Sequence, residues 1–296
     1  MACGYQFQGP PGVNEPNLVV PSETIAYFGP EGSFTHMVAQ RRYSGRHLIP
    51  FKTIPELFEY LDATPDAKGV VPIENSSGGA IMPTIDGLIE REERIFIEEE
   101  LSLDVKLALL GRKDRQFEVV YSHFAPLQHC EKWLKRHYPH AVALNAPSTS
   151  AAAQFAQQEE NAAAIGPLQS AELHGLDVLY YPIEERVENV TQFFVLSQSH
   201  RAAPNSSKSS YIVALPNVAG SLFGFLGPFK DAAINLTRIQ SRPIIGHPNS
   251  HLFFIEIEGV ETEPRVIHAI EAARKGGARV SSLGSYPVMP RYPSDG

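Results

Sequence analysis

Hydrophobic and polar residues alternate along the first two thirds of the chain in a pattern that predicts a layered fold. The short apolar runs typical of buried strands are residues 24–28, 69–74, 119–123, 162–166 and 178–183. Helical spacing of apolar residues recurs between them, at residues 34–43, 127–138 and 149–160, the last beginning at a cap near Ser148 or Thr149. Strand and helix in alternation indicate a parallel or mixed sheet with helices on its faces, an α/β class.

The last third of the chain has a different order of elements. Residues 197–210, SQSHRAAPNSSKSS, contain six serines and no apolar period, which indicates a linker. Beyond it the pattern reads strand, helix, strand, strand, helix, strand, a ferredoxin-like βαββαβ order with an antiparallel sheet. One face of such a sheet carries no helices and its edges are exposed, so we expect dimerisation through this domain.

These patterns divide the chain into four segments. The segments are a flexible N-terminal tail at 1–22, an α/β body at 23–197, a linker at 198–208 and a C-terminal domain at 209–296.

Composition narrows the class of protein. Hydrophobic residues make up 43% and charged residues 20%, as in soluble globular proteins. The net charge of −8 offers no basic surface for a phosphate backbone, so we expect no nucleic-acid partner. No stretch reaches the ~18 apolar residues of a membrane span. Cys3 and Cys130 form neither a disulfide framework nor a CxxC site, which suits a reducing cytoplasm.

Polar side chains follow several predicted strands at the point where each strand ends. Asn75 and Ser76 follow residues 69–74, Ser148 and Thr149 begin a helix, and Thr191 follows a later strand. Taken singly, each is more typical of a turn or a helix cap. Together they predict a neutral, hydroxyl- and amide-rich pocket for a small polyanion, with backbone N–H groups supplying positive potential. The chain has no GxGxxG with a following acid, no Walker loop, no HExxH and no nucleophile elbow.

Several separate motifs resemble the prephenate dehydratase family with a C-terminal ACT regulatory domain. They are IAYFGPEGSFT at 25–35, GVVPIENS at 69–76, YSH at 121–123, CEKWL at 130–134, the Ser/Thr-Ala-Ala segment at 148–153, residues 163–179, NVTQF at 189–193 and the ACT-like stretch at 220–243. The resemblance implies two α/β lobes like those of type-II periplasmic binding proteins, with the active site in the cleft between them. It also implies an ACT dimer that binds phenylalanine.

The implied reaction converts prephenate to phenylpyruvate, with loss of water and carbon dioxide, in phenylalanine biosynthesis. It needs no metal and no organic cofactor. The resemblance implies that Thr191 is catalytic. The implied substrate-binding residues are Asn75, Ser76, Ser148, Thr149, Gln192 and Phe193, with Phe193 as a wall of the pocket. The implied phenylalanine site comprises Gly220, Leu222, Asn235, Leu236, Ser241, Arg242 and Pro243.

One departure from the family pattern falls beside the implied catalytic threonine. The resemblance implies an arginine where this chain has Gln192. An arginine would hold a substrate carboxylate by a bidentate charged pair, whereas glutamine offers neutral hydrogen bonds. Losing one charged hydrogen bond costs about 1.5–3 kcal/mol.

Three other functions are compatible with the same motifs. One is a non-aromatising prephenate decarboxylase, another is an arogenate dehydratase, and the third is a non-catalytic sensor of an aromatic metabolite. His36 and His129 are more typical of surface or core histidines, whereas His123 lies at a strand end inside a motif. We expect a cytoplasmic homodimer or homotetramer with prephenate as substrate, phenylalanine as regulator and no membrane partner.

Overall fold

The structure is a computed structural model that describes residues 24–183, 188–200, 203–244 and 251–294. The predicted N-terminal tail at 1–22 lies outside the described residues, as do residues 201–202 of the predicted linker. Within the described part, no helix combines the length and the apolar character needed to cross a bilayer.

Lobe 1 contains the first part of the α/β body, residues 24–104. Its elements are β1 (Ile25–Phe28), α1 (Phe34–Arg42), β2 (Leu48–Phe51), α2 (Ile54–Ala63), β3 (Lys68–Asn75), β4 (Gly79–Ala80), α3 (Met82–Glu90) and β5 (Phe96–Asp104). Strands β1, β2 and β3 run parallel, as the buried apolar runs of β1 and β3 predict. Ser33 and Thr53 cap α1 and α2 by accepting backbone N–H bonds.

Lobe 2 follows, from residue 108 to residue 180. Its elements are β6 (Ala108–Gly111), β7 (Val119–Ser122), α4 (Phe124–His137), β8 (Val142–Asn145), α5 (Thr149–Gln158), β9 (Ala162–Gly166), α6 (Ser170–His174) and β10 (Asp177–Tyr180). They form a five-stranded sheet in the order β10-β6-β9-β7-β8. The predicted cap is confirmed, because Ser148 is the N-cap of α5.

The chain then returns to lobe 1 as β11 (Val190–Ser197), which lies between β3 and β5. It runs antiparallel to both neighbours and completes a six-stranded sheet. The two crossings between the lobes lie side by side, since the Val105 N–H donates to the carbonyl of Asn189 at 2.8 Å. The beginning of β11 therefore lies at the hinge, beside the carboxyl end of β3.

The C-terminal domain has the predicted βαββαβ order. Its elements are β12 (Lys208–Ala214), α7 (Ser221–Asp231), β13 (Leu236–Pro243), β14 (His251–Glu258), α8 (Pro264–Lys275) and β15 (Arg279–Tyr286). The sheet is antiparallel in the order β13-β14-β12-β15, and both helices pack on one face through residues such as Phe229 and Val266. The α/β class and the ferredoxin-like C-terminal domain are confirmed.

The helix-free face of this sheet packs against lobe 1 of the same chain. Ile212 and Phe254 join a core cluster with Phe194 of β11, and the rings of Phe194 and Phe254 lie 6.2 Å apart. Dimerisation through this domain stays a prediction, but the helix-free face is covered within the chain. Its apolar residues meet the sheet of lobe 1, since β11 buries apolar side chains on both of its faces.

After β15 the chain runs back along lobe 1. Residues 287–294 lie beside β5, with parallel bridges from Val288 to Glu100 and from Tyr292 to Leu103. The backbone N–H of Lys106 at the hinge donates to Ser294 Oγ at 3.1 Å. The C-terminal domain is thus attached to lobe 1 through a sheet face and through this final segment.

Candidate active site

The first feature of the site is a side-chain pair across β3 and β11. Asn75 and Thr191 are direct cross-strand partners, although 116 positions separate them in sequence. Asn75 Nδ2 donates to Thr191 Oγ1 at 2.9 Å and to Asn189 Oδ1 at 2.8 Å. The structure therefore brings together two predicted site residues and adds Asn189, which the sequence pattern did not single out.

Backbone donors fix the orientation of the Asn75 amide. Asn75 Oδ1 accepts from the backbone N–H of Ser77 at 2.9 Å and of Gly78 at 2.8 Å. A backbone N–H can only donate, so the oxygen must face these two groups and the NH₂ must face Thr191. Thr191 Oγ1 is consequently an acceptor toward Asn75, and its own hydrogen is available to donate to another group.

Two further residues predicted from the sequence lie outside this pair. Ser76 Oγ donates to the carbonyl of Glu188 and accepts from the N–H of Val190, both at 2.9 Å, so its hydroxyl ties the hinge to β3. Phe193 is 1% exposed and packs in the core of lobe 1 with Ile25. Its expected role as a pocket wall does not fit this burial.

Lobe 2 presents a helix N-terminus in the region predicted to bind substrate. Ser148 Oγ accepts from the N–H of Ala151 at 3.0 Å, and Thr149 is the first residue of α5. The first turn carries no acidic residue, so nothing cancels the partial positive charge of the helix end. This end of α5 suits a carboxylate.

Two polar residues of α6, which lies beside α5, were missed in the sequence: Ser170 and His174. Ser150 Oγ lies 3.5 Å from His174 Nε2 of α6. Ser170 is fully buried, and its hydroxyl has no hydrogen-bond partner in the structure. A buried serine in a short helix leaves no periodic signal, so only the packing of α6 against α5 reveals them.

The loops of the two lobes meet at the mouth of the cleft. A methyl group built on Gly32, whose φ is +78°, would lie 2.3 Å from Leu173 Cδ1. Ser77 Oγ of lobe 1 lies 2.9 Å from His129 Nδ1 of lobe 2. Glycine at position 32 therefore allows the close approach of the lobes as well as the left-handed backbone.

Histidines around these loops favour the neutral state. Burial lowers the pKa of His36, His123 and His174, and for His36 the charge of Glu31 opposes the effect only in part. His36 Nδ1 accepts from the backbone N–H of Gly32 at 3.1 Å, so in the neutral ring the proton lies on Nε2. Backbone N–H groups rather than imidazolium ions thus supply positive potential here.

Gln192 faces away from Thr191. Its Nε2 donates to Glu100 Oε1 at 3.0 Å, and its Oε1 accepts from Arg238 Nη2 at 2.7 Å. Successive side chains of a strand point to opposite faces, and this face of β11 packs on the C-terminal domain. The expected contact between Gln192 and a substrate carboxylate therefore does not fit the structure.

The residues predicted to bind phenylalanine are spread along one side of the C-terminal domain. Gly220 and Leu222 line a groove at the start of α7, together with His251 and Phe253 of β14. Ser241 and Pro243 pair with Phe253 and His251 in the β13–β14 ladder. They therefore lie next to the strand that lines the groove.

The other three residues of that prediction lie apart from the groove lining. Arg242 forms a bidentate pair with Asp86 of α3 in lobe 1, with both contacts at 2.6 Å. Leu236 packs against the core of the C-terminal domain, and Asn235 is exposed just before β13. Arg242 thus connects the two domains in the structure.

The fold and the site define a class: a bilobed α/β protein with a polar cleft at its hinge and a ferredoxin-like domain attached to lobe 1. In the described ranges, no three His, Cys, Asp or Glu side chains group closely enough to hold a metal ion. The side chains described around the cleft offer hydroxyls, amides and imidazoles, and the backbone adds N–H groups.

Known proteins specify this class further. The family model of prephenate dehydratase matches residues 25–201. A bifunctional chorismate mutase/prephenate dehydratase of Pseudomonas aeruginosa is 34% identical over 266 residues, covering 89% of this chain and 73% of the relative. A prephenate dehydratase of Amycolatopsis methanolica is 33% identical, with 88% of both chains covered. The crystal structure of prephenate dehydratase from Arthrobacter aurescens in complex with L-Phe has a TM-score of 0.79 and 28% identity, covering 89% of this chain and 90% of that one.

The chain belongs to the prephenate dehydratase family. The expected enzyme class, a lyase that acts on prephenate, is confirmed by these relatives.

Proposed function

We propose that Thr191 acts in the conversion of prephenate to phenylpyruvate by donating its hydroxyl hydrogen to the leaving hydroxyl of the substrate. The observation that supports this role is the fixed Asn75 amide, which makes Thr191 Oγ1 an acceptor on one side. The threonine hydrogen is then directed to another acceptor. Thr191 is 7% exposed, so the donor operates largely shielded from water.

The reaction breaks the bonds from the ring to two of its substituents and forms one new double bond within the ring. The C–C bond to the ring carboxylate breaks, carbon dioxide leaves, and its electron pair enters the ring. The ring C–O bond breaks, and the leaving hydroxyl takes up one proton to become water. The products are phenylpyruvate, carbon dioxide and water, and one proton is consumed, so Thr191 must be reprotonated from solvent after each turnover.

The second task of the site is to hold a substrate that carries two carboxylates. The N-terminus of α5, with Ser148 and Thr149, binds one carboxylate through backbone N–H groups and hydroxyls. Burial lowers the pKa of His123 and His174 and so disfavours their charged forms on this side of the cleft. Orientation by neutral dipoles is sufficient because aromatisation of the ring supplies most of the driving force.

The C-terminal domain carries the regulatory function in this proposal. Phenylalanine binds at the groove lined by Gly220 and Leu222, next to Ser241. The Arthrobacter aurescens relative in complex with L-Phe supports this choice of ligand. The chain acts as a homodimer or homotetramer in the cytoplasm, with residues 23–197 as the catalytic part and 209–296 as the regulatory part.

Product analysis tests the reaction directly. The purified full-length chain receives prephenate or arogenate, with and without phenylalanine, and the products are identified. Phenylpyruvate from prephenate is expected. A non-aromatic decarboxylated product, or binding of prephenate without turnover, would contradict the proposal. Faster turnover of arogenate than of prephenate would show that arogenate is the preferred substrate.

A pair of threonine variants tests the role of the hydroxyl. Thr191→Val should lower kcat about 10²–10³-fold, the usual effect of removing one preorganised donor, whereas Thr191→Ser should keep most of it. Thr84→Val is the matched control. Thr84 is a buried threonine of lobe 1 whose Oγ1 donates to the carbonyl of Pro72 at 2.6 Å. An equal loss of kcat in both valine variants would refute the catalytic role.

A further inference from the structure

A closed ring of charged and polar side chains lies between lobe 1 and the C-terminal domain. Lobe 1 contributes Gln192 and Glu100, and the C-terminal domain contributes Lys208, Arg238 and Glu256. Glu100, Glu256 and the Arg238 side chain are 2%, 1% and 4% exposed. Removing buried groups like these from water is costly, so the ring forms only when every member is paired.

Arg238 is the member of the ring that bonds to both β3 and β11 of lobe 1. Its Nη2 donates to Gln192 Oε1 at 2.7 Å, its Nη1 to Glu256 Oε2 at 2.8 Å and its Nε to Glu74 Oε2 at 2.7 Å. Its guanidinium also lies over the ring of Phe194, with 5.7 Å to the centroid. One side chain of the C-terminal domain is therefore hydrogen-bonded to both β3 and β11.

The remaining bonds close the ring. Lys208 Nζ donates to Glu100 Oε2 at 2.8 Å and to Glu256 Oε1 at 3.0 Å. Gln192 Nε2 donates to the other oxygen of Glu100. Gln192 accepts from a cation and donates to an anion, which an amide can do and a guanidinium cannot. The glutamine thus suits a site where the cation is supplied by the neighbouring domain.

The two residues held by Arg238 from lobe 1 are the chain neighbours of the site pair. Glu74 precedes Asn75, Gln192 follows Thr191, and Glu74 and Gln192 are themselves cross-strand partners. Alternate residues of a strand face opposite sides, so one cross-strand pair faces the cleft and the next faces Arg238. A shift of Arg238 relative to lobe 1 would move both strands behind the Asn75–Thr191 pair.

The ring carries two buried carboxylates, Glu100 and Glu256, and two cations, Lys208 and Arg238, and the partly exposed Glu74 binds Arg238 from outside the ring. Burial and the charge of Glu256 raise the pKa of Glu100 above its usual range. The loss of either cation would leave the buried charges of Glu100 and Glu256 less well compensated. The ring therefore favours one docked position of the C-terminal domain over small displacements from it.

We propose that Arg238 is a positioning residue through which the docked C-terminal domain sets the geometry of Asn75 and Thr191. This inference rests on the proposed function of that pair. Arg238 touches no substrate. It acts on turnover by holding Glu74 and Gln192, and so it places the threonine hydroxyl in line with the leaving group. A displacement of the C-terminal domain relative to lobe 1 then lowers kcat, although the cleft stays open to substrate.

A swap of residues across the interface tests the proposal. Arg238→Gln removes the cation, and Gln192→Arg places a second guanidinium against the first. Each single variant should lower kcat about 10–100-fold while KM for prephenate stays within about threefold, since the hydroxyl is misplaced and the carboxylate site on α5 is untouched. The double variant again has one guanidinium facing one amide and should recover most of kcat. Wild-type kcat in both single variants, or a double variant slower than either, would overturn the proposal.

Control variants separate positioning from loss of stability. Arg279→Gln breaks another ion pair between the two domains, Arg279 Nη1 to Glu92 Oε1 at 2.7 Å, and should keep kcat. If Arg238→Gln fails to fold, a second variant is used. Gln192→Leu removes the two hydrogen bonds of the Gln192 side chain and leaves all charged residues in place. It should show the same loss of kcat at unchanged KM, and a wild-type kcat would overturn the proposal.

Amide hydrogen exchange gives a readout that does not need turnover. In Arg238→Gln or Gln192→Leu, residues 74–78 and 189–192 should exchange faster than in the wild type, and in Arg279→Gln they should not. Absence of phenylpyruvate from the wild-type chain would refute the proposed function, whereas unchanged exchange in these segments would refute the role of Arg238.

Discussion

Asn75→Asp reverses the polarity of one atom beside Thr191 and leaves the size of the side chain unchanged. The new carboxylate can still accept from the N–H groups of Ser77 and Gly78 through one oxygen. Its second oxygen replaces the NH₂ that donates to Thr191 Oγ1 at 2.9 Å. Thr191 must then donate to this carboxylate to keep the contact, and its hydrogen is no longer available to the substrate.

The expected effects on rate and on stability differ in size. Loss of one preorganised donor lowers kcat about 10²–10³-fold. The free energy of unfolding should change by only about 1 kcal/mol, because the two backbone bonds persist and one hydrogen bond reverses its direction. The amide of Asn189, which accepts from Asn75 at 2.8 Å, can turn to donate to the new carboxylate.

Steady-state kinetics with prephenate and chemical denaturation measure these two quantities separately. The kcat of Thr191→Val is the reference for a missing hydroxyl. The double variant Asn75→Asp with Thr191→Val should have a kcat no lower than that of Thr191→Val alone, because both changes remove the same donor. An Asn75→Asp enzyme within about threefold of the wild-type kcat would refute the argument that the asparagine controls the direction of the threonine hydrogen.

Three further changes have defined outcomes. In denaturation experiments, the stability of Glu100→Gln relative to the wild type should increase as the pH rises from 5 to 8. The reason is that the folded state raises the pKa of Glu100, so the wild type loses stability once the pH passes the pKa of this carboxyl in the unfolded state. Gly32→Ala should lower kcat/KM at least about tenfold, and Leu173→Ala in the same chain should restore part of it by removing the 2.3 Å contact. Ser148→Ala should lower the free energy of unfolding by about 1 kcal/mol through loss of the cap at Ala151.

Local signals in the sequence predicted much of the fold. The helical period after a capping serine placed α5, and Ser148 is its N-cap. The strand and helix order of the last third predicted the βαββαβ domain, because alternation and turn residues act over a few positions. A polar residue after an apolar run indicated Asn75 at the carboxyl end of β3, since strand ends are where a layered sheet presents side chains to a ligand. Thr191, which was expected to follow a strand, lies instead near the beginning of β11.

Other predictions failed where a side chain's environment depends on distant segments. Strand alternation shows that Thr191 and Gln192 face opposite sides, but it does not show which side is the cleft. Phe193 shares the face of Thr191, yet helix α1 and strand β5 bury it in the core. The sequence also does not record that lobe 1 covers the helix-free apolar face of the C-terminal sheet.

The sequence by itself determined which residue types are available near the strand ends and whether each lies in a strand, a helix or a turn. Only the tertiary structure decided that Asn75 donates to Thr191 and that Arg238 supplies the guanidinium beside Gln192. The physical reason is that hydrogen-bond direction and charge pairing depend on distances of a few ångströms between segments far apart in the chain. Those distances are set by how the lobes and the C-terminal domain pack together, and no local pattern specifies them.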